Sequence, residues 1–331
     1  MEFGSSNDDI RIEVLSRVPV KSLLTSKCVS KRWQGIISET SFQRLHCRRT
    51  KPIISGFFFQ CLMRCNINGL ICCRNFGIGA QFVFICNPLK REFLQIKGPK
   101  GINGRRLRGL GFVFDPLCYS LDGTPSFKIV SVSKKKGFVF SFHIYSSKVR
   151  EWRLSEEIYY DDCDLSLGGL GIFAGGVFYW LTGGNVVMAF DLEKGKSKCI
   201  DLTVPRIQRN EGLCEMCIGE SEGCFYYILI TDADLRVWAL NRKIASGIVV
   251  GGLILPTWIE PIAFKDGNLL VKLRCRFNYE RGGLEVCTKI YLYNLDAGTM
   301  KELCVLEELG LPVGYLRTIP YCMSFAPLLS T

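Results

Sequence analysis

Histidine is nearly absent from this chain: 331 residues contain only His46 and His143. That scarcity removes the commonest general base and metal ligand from most of the molecule. No Gly-x-Ser-x-Gly elbow compensates for it, so a serine hydrolase of that type is excluded. Long apolar runs are missing too. None reaches the roughly 18 residues that would cross a bilayer as a helix. The start, Met1-Glu2-Phe3-Gly4-Ser5-Ser6, lacks the basic-then-apolar pattern of a secretory signal and is expected to be a short flexible leader. Gly109-x-Gly111 and Gly168-Gly169-x-Gly171 lack the further glycine, helix and acidic residue of a dinucleotide site. Zinc-finger, RNA-recognition and basic-zipper patterns are missing as well.

Cysteine, by contrast, is plentiful, with 17 residues. The spacing argues against metal. Cys214-x-x-Cys217 is the single CxxC pair, and Cys224 alone does not complete a tetrahedral set; Cys61, Cys65, Cys72 and Cys73 have no recognised ligand spacing. Without an export signal the thiols are expected to stay reduced and to pack as small hydrophobes. No metal and no cofactor is expected. The net charge of +11 gathers at Arg48-Arg49-x-Lys51, Lys97-x-x-Lys100 with Arg105-Arg106-x-Arg108, and Lys134-Lys135-Lys136. Such charge favours acidic surfaces, but solvated loop residues are the simpler reading, and nucleic acid is not the expected partner. Glu156-Glu157 and Asp161-Asp162 likewise read as solvated loop charge.

Residues 8–46 are written in helical periodicity. Asn7 can cap a first helix, with Asp8 and Asp9 at its positive end. Ile10, Val14 and Val18, with Leu15, make one apolar face. Pro19 stops that helix and can open the next, which carries Val20, Leu23 and Leu24. Ser30 can cap a third bearing Trp33, Ile36 and Ile37; Phe42 and Leu45 follow. Three short helices in about forty residues bury little surface alone, so part of their apolar surface is expected to serve a partner. The alternative is that Trp33 and its neighbours fill a private core.

This run resembles the F-box in the form common in plants: Val18-Pro19-Val20-Lys21-Ser22-Leu23-Leu24, Cys28-Val29-Ser30-Lys31-Arg32-Trp33, Ile36-Ile37-Ser38 and Phe42. The Leu-Pro pair that often precedes the first helix in that family is absent. The resemblance implies binding to a Skp-type adaptor and, through it, to cullin and RING subunits. It nominates Pro19, Leu23, Leu24, Val29, Trp33 and Ile37 for that contact and the packing behind it.

After residue 46 the grammar changes to short β-rich runs separated by Gly, Asn, Asp and Pro turns. A hairpin recurs at Phe84–Phe93, Ile144–Trp152, Ala189–Lys196 and Leu292–Lys301, each a strand, a charged tip and a return strand, with Val237–Asn241 supplying another. Four-stranded units at such a period predict a β-propeller, here of five or six blades. A strand near Tyr321–Phe325 is expected to pair with one near Gly56–Cys61 and close the ring. Trp152, Trp180 and Trp238 are expected in the core, and Asn87-Pro88 and Asp115-Pro116 to start turns.

Asn68-Gly69-Leu70-Ile71-Cys72-Cys73, Cys86-Asn87-Pro88 and Gly109-Leu110-Gly111-Phe112-x-Phe114-Asp115-Pro116 resemble the F-box-associated domain of plant F-box proteins, which is related to kelch-like propellers. Ile144-Tyr145-Ser146-Ser147 with Trp152, Gly176-x-x-Tyr179-Trp180 and Ala189-Phe190-Asp191-Leu192 extend the likeness. The expected organisation is an all-α F-box at 1–46, a linker at 47–55 and an all-β domain at 56–331. The resemblance implies a non-catalytic receptor subunit of an SCF-type ubiquitin ligase, cytoplasmic or nuclear. It would hold an unidentified protein target for ubiquitination and degradation, with no membrane involved. Segments 97–108, 155–166 and 274–287 are candidate target loops. Two other readings are a stand-alone propeller that binds a ligand or nucleic acid, and a propeller enzyme using a cysteine with His143.

Overall fold

A computed structural model describes residues 6–50, 54–59, 63–67, 69–74, 81–102, 107–119, 125–135, 139–160, 169–182, 186–201, 215–230, 235–239, 258–278, 284–309, 318–326 and 328. Four helices come first rather than three: α1 (Ser6–Leu15), α2 (Val20–Ser26), α3 (Lys31–Ser38) and α4 (Thr40–Arg49). Pro19 takes the N-cap position of α2 with an extended backbone. Ser30 caps α3 as its sequence predicts, its Oγ accepting from the Trp33 amide at 3.1 Å. Phe42 and Leu45 lie on α4, which continues to Arg49, past the boundary drawn at 46. β1 (Ile54–Phe59) begins before the linker segment 47–55 ends.

The β domain is a series of antiparallel units. The first is β2 (Met63–Ile67), β3 (Leu70–Arg74), β4 (Phe82–Asn87) and β5 (Glu92–Lys97). The second is β6 (Leu107–Tyr119), β7 (Pro125–Lys134), β8 (Val139–Ser146) and β9 (Glu151–Tyr160). The third is β10 (Gly169–Ala174), β11 (Val177–Leu181), β12 (Val186–Asp191) and β13 (Lys196–Asp201). The fourth shows β14 (Glu215–Ser221), β15 (Cys224–Ile230) and β16 (Leu235–Ala239); residues after 239 that would return from it lie outside the described set. The fifth is β17 (Trp258–Lys265), β18 (Asn268–Asn278), β19 (Leu284–Asn294) and β20 (Thr299–Val305). Finally β21 (Thr318–Cys322) pairs antiparallel with β1, Gly56 opposite Tyr321, joining the two ends of the domain as the ring-closure expectation required.

Turn chemistry explains the repetition. The third and fourth strands of four units are joined across Asn87/Glu92, Ser146/Glu151, Asp191/Lys196 and Asn294/Thr299. In each, the last connecting residue is left-handed: Arg91, Arg150, Gly195 and Gly298. The opening side chain usually caps the turn. Asn87 Oδ1 accepts from Leu89 and Lys90, Asp191 Oδ1 from Glu193 and Lys194, and Asn294 Oδ1 from Ala297. First and second strands are joined by two-residue turns with both φ values positive, at Gly175-Gly176, Glu222-Gly223 and Asp266-Gly267. Asp115-Pro116 departs from expectation. It lies within β6, at an irregularity in the pairing with β7, rather than starting a turn.

Units two and three share a sheet because β6 and β10 run parallel, Gly109–Gly111 beside Gly169–Gly171. Units four and five join the same way through β14 and β17. The glycines that fail as a nucleotide motif allow this approach. A Cβ on Gly171 would lie 2.7 Å from the Trp180 indole nitrogen, and one on Gly111 2.6 Å from the Phe178 ring. Trp180 is fully buried there, with Phe142, Phe178 and Phe190. Trp152 and Trp238 are only partly buried, at the margins of other clusters.

Candidate functional site

The helical module has a small core: Leu15, Leu23, Ile36, Ile37 and Phe42, joined by Phe325 from beyond β21. This sorts the six nominated residues. Leu23 and Ile37 are fully buried and face that core, so they can act on a partner only through packing. Leu24 and Trp33 are half-buried at its edge; Pro19 and Val29 are exposed. Val29 has 66% of its surface open to solvent.

The face drawn for α1 needs correction. Ile10 and Val14 point outward, 61% and 58% exposed, while Ile12 and Leu15 pack inward. The stripe rotates because Asp8 is buried. It is gripped by Arg11 at 2.8 Å and by Arg32 of α3, whose Nε donates at 3.2 Å. Two basic side chains leave the carboxylate well compensated, and Asp8 lies on the inward side of α1 with Ile12 and Leu15, away from Ile10 and Val14. Among the described residues, three of the eight large apolar side chains left exposed (Ile10, Val14 and Val29) fall within the first thirty positions. That density on so small a module is what a docking surface requires.

His46 carries no catalytic geometry. It is buried in α4 and donates from Nε2 to the Val18 carbonyl at 2.8 Å, tying α4 to the turn before α2. Burial pushes its pKa below the ordinary imidazole range, and the Val18 bond opposes this only in part. The unfolded chain therefore takes up a proton first, near pH 6.5. Stability of the module should be full above that pH and fall as pH drops from about 6.5 through the lower folded-state pKa. Amide exchange of α2–α4 at pH 7.5 and 5.5 should show faster opening at the lower pH, after correction for intrinsic rates. His46→Gln should flatten the response; an unchanged response in that variant would refute the assignment.

His143 is half-buried on β8, with its pKa lowered by desolvation and by Lys135. It stands opposite Ser131 and Leu154, and no described cysteine pairs with it across either strand. Cys214 and Cys61 lie outside the described residues, as do Asp161 and Asp162. Cys217 is buried, with its thiol pKa pushed far up by desolvation. Glu157 is not loop charge, as its sequence context suggested. It sits on β9 and accepts from the Ser197 amide at 3.0 Å and Ser197 Oγ at 2.7 Å, linking units two and three, and these bonds lower its pKa. Arg49, in the first basic cluster, is paired with Glu13 and donates to Ser16.

The strand order gives the β domain two different faces. All the tight turns just described lie at one end of the strands. The helical module sits at that end: Leu89 of the Asn87 turn packs on its core, and Ser324 crosses Gly69. Connections from second to third strands, and from one unit to the next, leave the opposite end. Of the candidate target segments 97–108, 155–166 and 274–287, the described parts 97–102, 155–160 and 274–278 lead towards that opposite end, and 103–106, 161–166 and 279–283 lie outside the described residues. Glu151–Tyr160, Asn268–Asn278 and Leu284–Asn294 are strands, so the described residues of the last two segments are strand rather than loop.

A helical module ahead of successive antiparallel β units, with β21 paired to β1, defines a class, the F-box proteins with a β-propeller. Residues 7–45 match the F-box domain, and residues 45–258 match the family described as F-box protein At3g26010-like, beta-propeller. The chain belongs to that family. Among curated relatives it is 22% identical to F-box protein At5g07610 of Arabidopsis thaliana, over 91% of this chain and 86% of that one. It is also 22% identical to F-box protein At5g49610 of the same plant, over 71% and 75%. A solved structure, TolB from Acinetobacter baumannii, superposes with a TM-score of 0.40 at 11% identity, over 71% of this chain and about half (52%) of that one. F-box domains bind Skp-type adaptors in SCF complexes, and F-box proteins with β-propellers are typically non-catalytic.

Proposed function

We propose that this chain is a substrate-receptor subunit of a cullin-based ubiquitin ligase. The F-box docks on the Skp-type adaptor, and through it on cullin and RING subunits. The opposite face of the propeller holds a protein target, which is ubiquitinated and passed to the proteasome. The observation that carries this reading is the division of labour within the helices. Leu23 and Ile37 fill the core, while Val29, Pro19, Ile10 and Val14 remain open and Leu24 and Trp33 half-open. A few desolvated apolar anchors of this kind supply most of the affinity in a protein interface. The strand order supports a target face at the opposite end, because the helical module lies beside the tight-turn end of unit one.

The chain itself makes and breaks no bonds. It raises the local concentration of target lysines around the charged conjugating enzyme. We place it in the cytoplasm or nucleus, where that machinery operates. Co-expression with a plant Skp-type adaptor, followed by size-exclusion chromatography, tests the reading. A stable one-to-one complex is expected; adaptor and chain eluting apart would overturn it.

A further inference from the structure

The buried residue of the helical core that the helices do not supply is Phe325. It follows β21, nearly three hundred residues after α3, and is 2% exposed among Leu15, Leu23, Ile36, Ile37 and Phe42. Its ring meets His46 edge-on, with centroids 5.6 Å apart, and Lys27 Nζ lies 5.8 Å above it. On either side the chain is tied to unit one. Asn87 Nδ2 donates to the carbonyls of Ser324 at 3.0 Å and Ala326 at 2.7 Å, and Glu92 accepts from the Leu328 amide at 2.8 Å. Ser324 lies against Gly69, where a Cβ would come within 2.3 Å, and its Oγ is 3.7 Å from Cys47 Sγ on α4. Ala326 and Leu328 join the core between units one and two. Just upstream, β21 is held by β1, the strand that leaves the F-box.

From these contacts we infer that residues 321–326, with Leu328, form a strap that completes the F-box core and fixes the F-box on the propeller, with Phe325 as its positioning residue. A module this small gains much of its burial from one added aromatic ring. Because the same segment is stapled to unit one, the adaptor-binding helices cannot swing without drawing Phe325 out or breaking the Asn87 bonds. The consequence for the ligase rests on the proposed function: the target face would be held at one angle to the adaptor rather than on a tether.

Hydrogen exchange of the free, full-length chain tests the strap without any adaptor. Phe325→Ala should lower protection of α2–α4 amides tenfold or more, while β7, β8 and β12 keep theirs; Phe325→Leu should restore most of it. Asn87→Asp is the second variant. Its carboxylate still accepts from Leu89 and Lys90, so the turn survives, but it can no longer donate to Ser324 and Ala326, and the same helices should lose protection. Unchanged helix protection in both Phe325→Ala and Asn87→Asp, or a loss spread evenly through the β strands, would overturn the inference. Adaptor affinity, measured separately, should fall in the same two variants. Wild-type chain that shows the strap-dependent protection yet binds no adaptor would refute the ligase reading and leave the strap standing.

Discussion

Val29→Asp should weaken adaptor binding a hundredfold or more, about 2.7 kcal/mol, without unfolding either part of the protein. Val29 is 66% exposed and precedes the Ser30 cap, so a charge there costs the free chain little. In a docked complex the same charge would be buried against apolar surface without a partner, which is expensive. Leu23→Ala provides the contrast. Leu23 is fully buried, and emptying its place should destabilise the helical module by about 2–5 kcal/mol. Adaptor binding would then be lost with the fold. Calorimetric titration against the adaptor, paired with amide exchange of residues 20–46, separates the two. Val29→Asp should lose affinity with protection intact, whereas Leu23→Ala should lose both. Wild-type affinity for Val29→Asp would remove that residue from the interface.

Trp180→Ala should be the most damaging single change in the β domain, at about 3–5 kcal/mol. The indole is fully buried and covers the parallel junction of β6 and β10, where Gly109 and Gly171 leave room for it. Its loss opens a cavity where two units meet, and the glycines beneath cannot fill it. For a domain of this size the midpoint of thermal unfolding should fall by roughly 10 °C. Trp152 offers the comparison. It is partly buried, donates to the Lys97 carbonyl at 2.8 Å, and packs at the margin of its cluster, so Trp152→Ala should cost markedly less. Differential scanning calorimetry decides between them. Equal shifts for the two variants would mean that the β6–β10 junction is not the critical joint.

Local signals in the sequence located most of these elements. Ser30 acts through a contact three residues away, and Pro19 through its own backbone, so both boundaries were legible. The repeated hairpins were legible for the same reason: Asn87, Asp191 and Asn294 cap turns with their own neighbours' amides. Ring closure could be anticipated because two β-rich ends of one domain have few other partners.

What escaped depends on distant parts of the chain. Ile10 and Val14 were counted on one face with Leu15 because periodicity counts apolar residues and does not register that Asp8 sits inward beside Arg32. Glu157 looked like surface charge until Ser197, forty residues on, supplied two donors. Gly109 and Gly111 read as a failed motif until Trp180 and Phe178 were seen above them. Phe325 read as the end of the closing strand Tyr321–Phe325, but β21 stops at Cys322 and the ring belongs to the F-box core, which nothing near it announces. Asn87 was legible as a turn starter, while the role of its Nδ2, which holds the strap, was not. In each case the residue type is ordinary and the partner is remote.

If the helices carry the adaptor-binding face and the target is held at the far end of the propeller, the adaptor should touch only the helices. Hydrogen exchange of the full chain, alone and saturated with a Skp-type adaptor, tests it most directly. Added protection should be confined to residues 8–38, with the strand ends at Arg74, Lys134 and Asn278 unchanged. Protection appearing at those strand ends, or none within the helices, would contradict it.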